Sequence, residues 1–129
     1  MSALDLVKAA YAAFGRNDPS VLFGAMDPTM KWRVAEGNPF ADRNPYVGPQ
    51  GVGELFARLL ETIEHFTVTP STFIDGGDHV VVLGRYGGTN KRTGARLDAE
   101  FCHVLGIRGD KAVTFQQYTD TAQWGRVLA

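Results

Sequence analysis

This chain of 129 residues has one cysteine, no basic surplus and no long apolar run. Cys102 stands alone, so no intramolecular disulfide can form and no CxxC metal or redox pair exists. With no other redox signal, a reducing cytoplasm is the expected compartment. Thirteen basic residues against 14 acidic ones leave a formal charge of −1 at pH 7. That balance supplies no drive for phosphate-backbone binding, and the mixed order of the charges leaves no patch for nucleic acid or a membrane surface. No segment approaches the roughly 20 apolar residues of a spanning helix. The opening MSALDLVKAAY carries Asp5 and Lys8 inside its apolar run, which is not a signal-peptide pattern. Repeats, low-complexity tracts and interdomain linkers are missing as well, so the expectation is one compact domain over 1–129.

What is present reads as helices first and strands afterwards. Leu4, Val7, Tyr11 and Phe14 follow helical spacing, with Ser2 as N-cap and Gly15 as stop. In NDPS, Asp18 caps a second, short helix with Pro19 at its first position. MKWRVAE then alternates, placing Met30, Trp32, Val34 and Glu36 on one face of a half-buried strand. Three prolines and three glycines between positions 37 and 51 predict a long loop of the kind that is functional or mobile. A third helix is predicted from about Val52 to His65. Four strands separated by the turns DGGD, NKRTG and RGDK follow, and a short helix closes the chain. This order predicts an α+β fold with helices on one face of an antiparallel sheet.

A two-residue turn at Gly109 and Asp110 would set His103 opposite Gln116, Phe101 opposite Tyr118 and Ala99 opposite Asp120. These six side chains would then share one sheet face. That face mixes aromatic, small and proton-bearing groups, as a ligand pocket does. The opposite face would carry Cys102, Val104, Phe115 and Gln117. A bulge or a one-residue slip would change the assignment.

The segments AAYAAFGRND, MKWRVAEGNPF, NPYVGPQGVGELF, FIDGGDHVVVLGRYGGT, TGARLDAEFCHVLGI and QQYTDTAQW resemble the nuclear transport factor 2-like superfamily over nearly the whole chain. The similarity is closest to its SnoaL-like and ketosteroid isomerase-related small proteins. The resemblance implies a cone: a strongly curved antiparallel sheet wrapped around three N-terminal helices, with a pocket inside and homodimers through the sheet. Fold alone does not fix the chemistry. The three catalytic positions of ketosteroid isomerases fall on Ala10 (beside Tyr11), near Val34 (with Glu36 the nearest carboxylate) and on Cys102 (beside His103). None is matched, so that steroid isomerisation is not expected. The same alignment turns Cys102, Val104 and Phe115 toward the pocket, the alternative to the hairpin reading. SnoaL-like cyclases imply Asp120 as a base and His103 as a second pocket residue.

The expected function is binding of a small apolar or amphipathic carbonyl or hydroxyl compound. It could extend to cofactor-independent isomerisation, cyclisation or dehydration by general acid–base chemistry. The alternative is a non-catalytic binding or dimeric interaction module. Candidate catalytic residues are Asp120, His103, Tyr118 and Glu36; candidate pocket residues are Trp32, Tyr46, Phe101 and Gln116. Asp120 also reads as the N-cap of the last helix, because DTAQ is close to a capping box. His103 between Phe101 and Leu105 also reads as a hydrogen-bonded core histidine. The three histidines lack metal-ligand spacing, and GRYGGT lacks the strand-to-helix setting of a phosphate loop, so neither metal nor cofactor is expected.

Overall fold

Ser2 opens the first helix as its spacing predicts: its Oγ accepts from the Asp5 amide at 3.1 Å. In the computed structural model, which describes residues 2–129, α1 runs Ala3–Gly15 and buries Val7, Ala10 and Ala13. The side chain of Asp18 accepts from the amide and hydroxyl of Ser20, and α2 runs Ser20–Gly24, one residue later than expected, so that Pro19 rather than Asp18 stands at its N-cap. The strand β1 follows at Met26–Arg33. The proline- and glycine-rich stretch is largely structured. It forms a 3₁₀ turn at Pro39–Arg43 and the two-residue strand β2 at Tyr46–Val47.

Helix α3 spans Gly48–Thr62, starting four residues before the expected Val52. Pro49 is the missed signal, since proline suits the first turn of a helix. Gly48 makes that start possible. Its φ is +67°, and a Cβ there would run into the carbonyl of Pro28.

The strands β3 (Ile63–Asp75), β4 (His79–Asn90), β5 (Arg96–Arg108) and β6 (Lys111–Thr119) form a meander, and α4 (Thr121–Val127) ends the fold. The six-stranded sheet has the order β2-β1-β6-β5-β4-β3. The fold is α+β with a curved sheet, as expected, but the sheet is mixed: β1 lies parallel to β6. A meander alone would have been antiparallel. The 3₁₀ turn, α3 and the strands β2 to β5 separate β1 from β6 in sequence, and that length permits the parallel return.

The inner sheet face is built from the alternate residues Val80, Val82 and Tyr86 on β4 and Leu97, Ala99, Phe101, His103 and Leu105 on β5, all buried. These join Val7, Val52, Leu55 and Leu59 from α1 and α3 in one core. Trp124 on α4 is 2% exposed and packs against Tyr86 and Phe66, so the last helix covers one end of the core. Asn90, also buried, ties that end down: its amide donates to the Val127 carbonyl at 2.8 Å, and its oxygen accepts from the Arg92 amide.

The β5–β6 hairpin decides which side chains of β6 look inward. Arg108 pairs with Lys111 and Ile107 with Ala112, the expected register, but Gly106 pairs with Thr114. Val113 is therefore an extra residue, a β-bulge. Beyond it, His103 faces Gln117, Cys102 faces Tyr118 and Phe101 faces Thr119. The expected pairs His103–Gln116, Phe101–Tyr118 and Ala99–Asp120 are displaced by one residue, which turns Phe115 and Gln117 inward and Tyr118 outward.

Candidate functional site

Between α1, α3 and the inner sheet face lies a cavity with about 80 Å³ of free space. That is enough for several waters or one small organic molecule. Most of its walls are aromatic and aliphatic. Trp32 stacks on Phe115, its neighbour across the parallel pair, with centroids 3.6 Å apart. Phe56 meets Trp32 and Phe14 edge-on. Leu22, Leu59, Phe66 and Leu105 complete much of the apolar lining.

The polar lining residues form one connected chain of hydrogen bonds. The Tyr11 hydroxyl lies 2.6 Å from His103 Nδ1, and the Tyr86 hydroxyl lies 2.5 Å from His103 Nε2. Gln117 Nε2 donates to the Tyr86 oxygen at 2.8 Å. Gln117 Oε1 accepts from the Ala35 amide at 3.1 Å and from Asn38 Nδ2 at 3.2 Å. Asn38 Oδ1 in turn accepts from the Phe40 amide at 2.9 Å. Four elements supply these groups: α1 carries Tyr11, β4 carries Tyr86, β5 carries His103 and β6 carries Gln117.

His103 is 4% exposed and stacked on Phe101, ring centroids 4.0 Å apart and planes within 10°. Burial pushes its pKa from 6.5 down to about 3, so the ring is neutral near pH 7. Desolvation also raises the phenols of Tyr11 and Tyr86 above their ordinary value, keeping both protonated. The site thus holds an uncharged chain of hydroxyl, imidazole, hydroxyl and amide. It can orient and polarise an acceptor atom. It presents no carboxylate to the cavity, because no Asp or Glu lines it among the described residues.

The structure distributes the expected site residues unevenly. His103 and Trp32 line the cavity. Phe101 lies behind His103, its ring filling the space a side chain at residue 84 would take: a Cβ on Gly84 would come within 2.5 Å of the Phe101 ring. Asp120 does not enter the cavity. It is exposed at the start of α4, and its Oδ1 accepts from the Gln123 amide at 3.2 Å. Tyr118, turned out by the bulge, is 57% exposed on the outer sheet face. Glu36 is exposed just past the end of β1. Gln116 points away from the cavity for the same reason as Tyr118, and its amide donates to the Gln117 carbonyl.

Tyr46 is buried but braces the wall from behind. Its hydroxyl donates to the Phe40 carbonyl at 2.8 Å and accepts from Arg58. Arg58 on α3 also pairs with Asp42 at 2.9 Å and lies over the Phe40 ring, 5.0 Å from its centroid. Together they hold the 3₁₀ turn, and with it Phe40, against the cavity. Asp120 joins Arg85, Glu100 and Cys102 instead around an open depression on the outer sheet face. The residues not singled out from sequence are Tyr86, Gln117 and Asn38, while Tyr11 stood out only as a neighbour of an unmatched position. A visible signal existed for two of them. Tyr11 sits among alanines in AAYAAF and Tyr86 among glycines in GRYGGT, each a large ring whose flanks leave it room.

Among known proteins, the SnoaL-like domain model matches residues 7–115. A nuclear transport factor 2-like protein from Burkholderia thailandensis is 31% identical over 100% of this chain and 98% of its own, with a TM-score of 0.93. A nuclear transport factor 2-like protein of unknown function from Burkholderia pseudomallei is 28% identical over 97% of this chain and 95% of its own, with a TM-score of 0.86. TerC, co-crystallised with polyporic acid, is 25% identical over 96% of this chain and 95% of its own, with a TM-score of 0.84. Comparison with curated proteins finds no match. With the family match running from α1 into β6, across every element that lines the cavity except α4, the chain belongs to the SnoaL-like domain family.

Proposed function

We propose that this protein binds one small, largely apolar molecule inside the cavity, with a single acceptor atom of that molecule at the hydroxyl of Tyr11. The observation that carries this reading is the contrast within the lining. A space of about 80 Å³ with aromatic walls is lined by one polar chain, and Tyr11 is the hydroxyl of that chain with a single side-chain partner among the described residues. An empty apolar space surrounding a few convergent polar groups is the common form of a ligand site. The co-crystal of the related TerC with polyporic acid supports the binding of a small organic molecule on this fold. A purely interacting module would have its cone filled by its own side chains, and this cavity is open.

Cofactor-independent isomerisation, cyclisation or dehydration would need a base to remove a carbon-bound proton. Asp120 and Glu36, the carboxylates proposed for that task, are exposed outside the cavity, and His103 has both ring nitrogens engaged. The site therefore holds the electrophilic half of such chemistry, and binding is the reading it supports best. Polarisation of a carbonyl by Tyr11 is the part of catalysis it could supply. We also propose that two copies pair in the cytoplasm through the outer sheet face, where Tyr118 stands exposed beside Cys102.

Acetophenone is a suitable first probe, followed by the fluorescence of Trp32 and Trp124, which both line the cavity, and by thermal denaturation. Saturable quenching and a raised Tm are expected in the wild type, and both should disappear in Ala10→Phe, which places a ring in the cavity. A signal of equal size in a folded Ala10→Phe variant would locate the ligand elsewhere and overturn the reading.

A further inference from the structure

The hydrogen-bond chain has a direction, and the direction can be read from its fixed end. The amides of Ala35 and Phe40 are backbone donors and cannot reverse. An oxygen of Gln117 must therefore face Ala35, which turns the Gln117 NH₂ toward Tyr86. Asn38 reinforces this, because its own oxygen is held by Phe40 and its NH₂ must face Gln117. The Tyr86 oxygen then accepts from Gln117, and its proton has one remaining acceptor among the described residues, His103 Nε2. A neutral imidazole that accepts at Nε2 donates at Nδ1. The partner at Nδ1 is Tyr11, whose oxygen consequently accepts. With its oxygen so occupied and no other protein partner among the described residues, the Tyr11 proton is left for the cavity.

We infer that Gln117, locked by the Ala35 amide, is a positioning residue that sets the sense of the whole chain. In consequence Tyr11 offers a donor, and the cavity takes a neutral molecule with an acceptor oxygen, such as a ketone or quinone carbonyl. Carboxylates are disfavoured because no cation among the described residues lines the cavity to compensate a buried anion. Ammonium compounds are disfavoured because no carboxylate among the described residues lines the cavity to meet them. This assignment rests on the cavity being the ligand site, but the direction of the chain is testable without any ligand.

The first arm uses the wild-type protein labelled with ¹⁵N-histidine. The ring shifts and couplings of His103 should report the Nδ1–H tautomer near pH 7; the Nε2–H tautomer would overturn the inference. In Gln117→Glu, recorded where the ¹³C shift shows the new carboxyl ionised, both oxygens accept, so Tyr86 must donate to residue 117. His103 should then switch to Nε2–H. An unchanged tautomer in that variant would remove Gln117 from the positioning role, and a merely structural role would not predict the switch.

The second arm compares acetophenone with α-methylstyrene, which has the same shape without the oxygen, and with benzoate. Acetophenone should bind roughly five- to tenfold more tightly than α-methylstyrene, the worth of about one net hydrogen bond. Benzoate should bind more weakly than either. Equal affinity for the ketone and the alkene would overturn the donor assignment. Binding of none of the three would count against the cavity as a ligand site, while the tautomer result would still decide the direction of the chain.

Discussion

His103 illustrates how burial converts a versatile side chain into a specialised one. With its pKa near 3, the ring stays neutral in the folded protein while the unfolded chain protonates it near 6.5. The unfolded state thus binds more protons between these values, and stability falls as the pH is lowered through that window and is level above it. From pH 7 to pH 4.5 the loss is expected to be roughly 2.5 kcal/mol, at about 1.4 kcal/mol per pH unit. Urea denaturation at a series of pH values measures it, and His103→Gln should flatten the profile over that range. Tyr11→Phe makes a different demand. It leaves His103 Nδ1–H without its partner, which should cost about 1–3 kcal/mol of stability and abolish the preference for a ketone over an isosteric alkene. Chemical denaturation and probe titration report the two effects separately.

Among the elements, α4 and the β4–β5 pair show local rules and packing acting on the same stretch of chain. Asp120 serves as the cap of α4, as the near-capping-box sequence suggested. Asp120→Ala is therefore expected to lower stability by about 1 kcal/mol and to leave the binding of a cavity ligand unchanged. A large loss of affinity with the helix intact would return Asp120 to the site. Gly84 is required for packing: its backbone conformation is ordinary, but a Cβ would overlap the Thr69 carbonyl and the Phe101 ring that supports His103. Gly84→Ala should destabilise by roughly 1–3 kcal/mol, the usual range for overpacking, with a change in the His103 ring environment visible by NMR.

At the scale of the molecule, one sheet presents two unlike faces. Inside, the cavity should yield a negative heat-capacity change on binding, because apolar surface leaves water there. Outside, the pairs Arg85–Asp98 and Arg85–Glu100 flank the depression bearing Cys102 and Asp120, with Tyr118 exposed nearby. If two copies meet on that face, sedimentation equilibrium should give a dimer, and Tyr118→Glu a monomer that still binds acetophenone. A monomeric wild type would remove the pairing without touching the cavity.

Much of the fold was legible in the sequence because it rests on local signals. Ser2, Asp18 and Asp120 mark helix starts, and alternation marks the strands. The side-chain parity of β5 by itself groups Ala99, Phe101 and His103 on one face. The site was legible only in part. His103 and Trp32 stand on periodic elements whose buried face the pattern identifies, so both could be named. The neighbours of His103 could not be. Its two phenol partners lie 92 and 17 residues away, and Gln117 meets Ala35 across 82 residues. Which of Gln116, Gln117 and Tyr118 faces inward depends on the single extra residue Val113, and the two glutamines after Phe115 give no hydrophobic alternation from which to read the shift. Composition and periodicity determined that helices would cover one face of a sheet around an apolar interior. Packing between distant segments alone decided that two phenols, an imidazole and an amide would meet there and exclude every carboxylate, because a hydrogen-bond chain needs positions in space that no local pattern encodes.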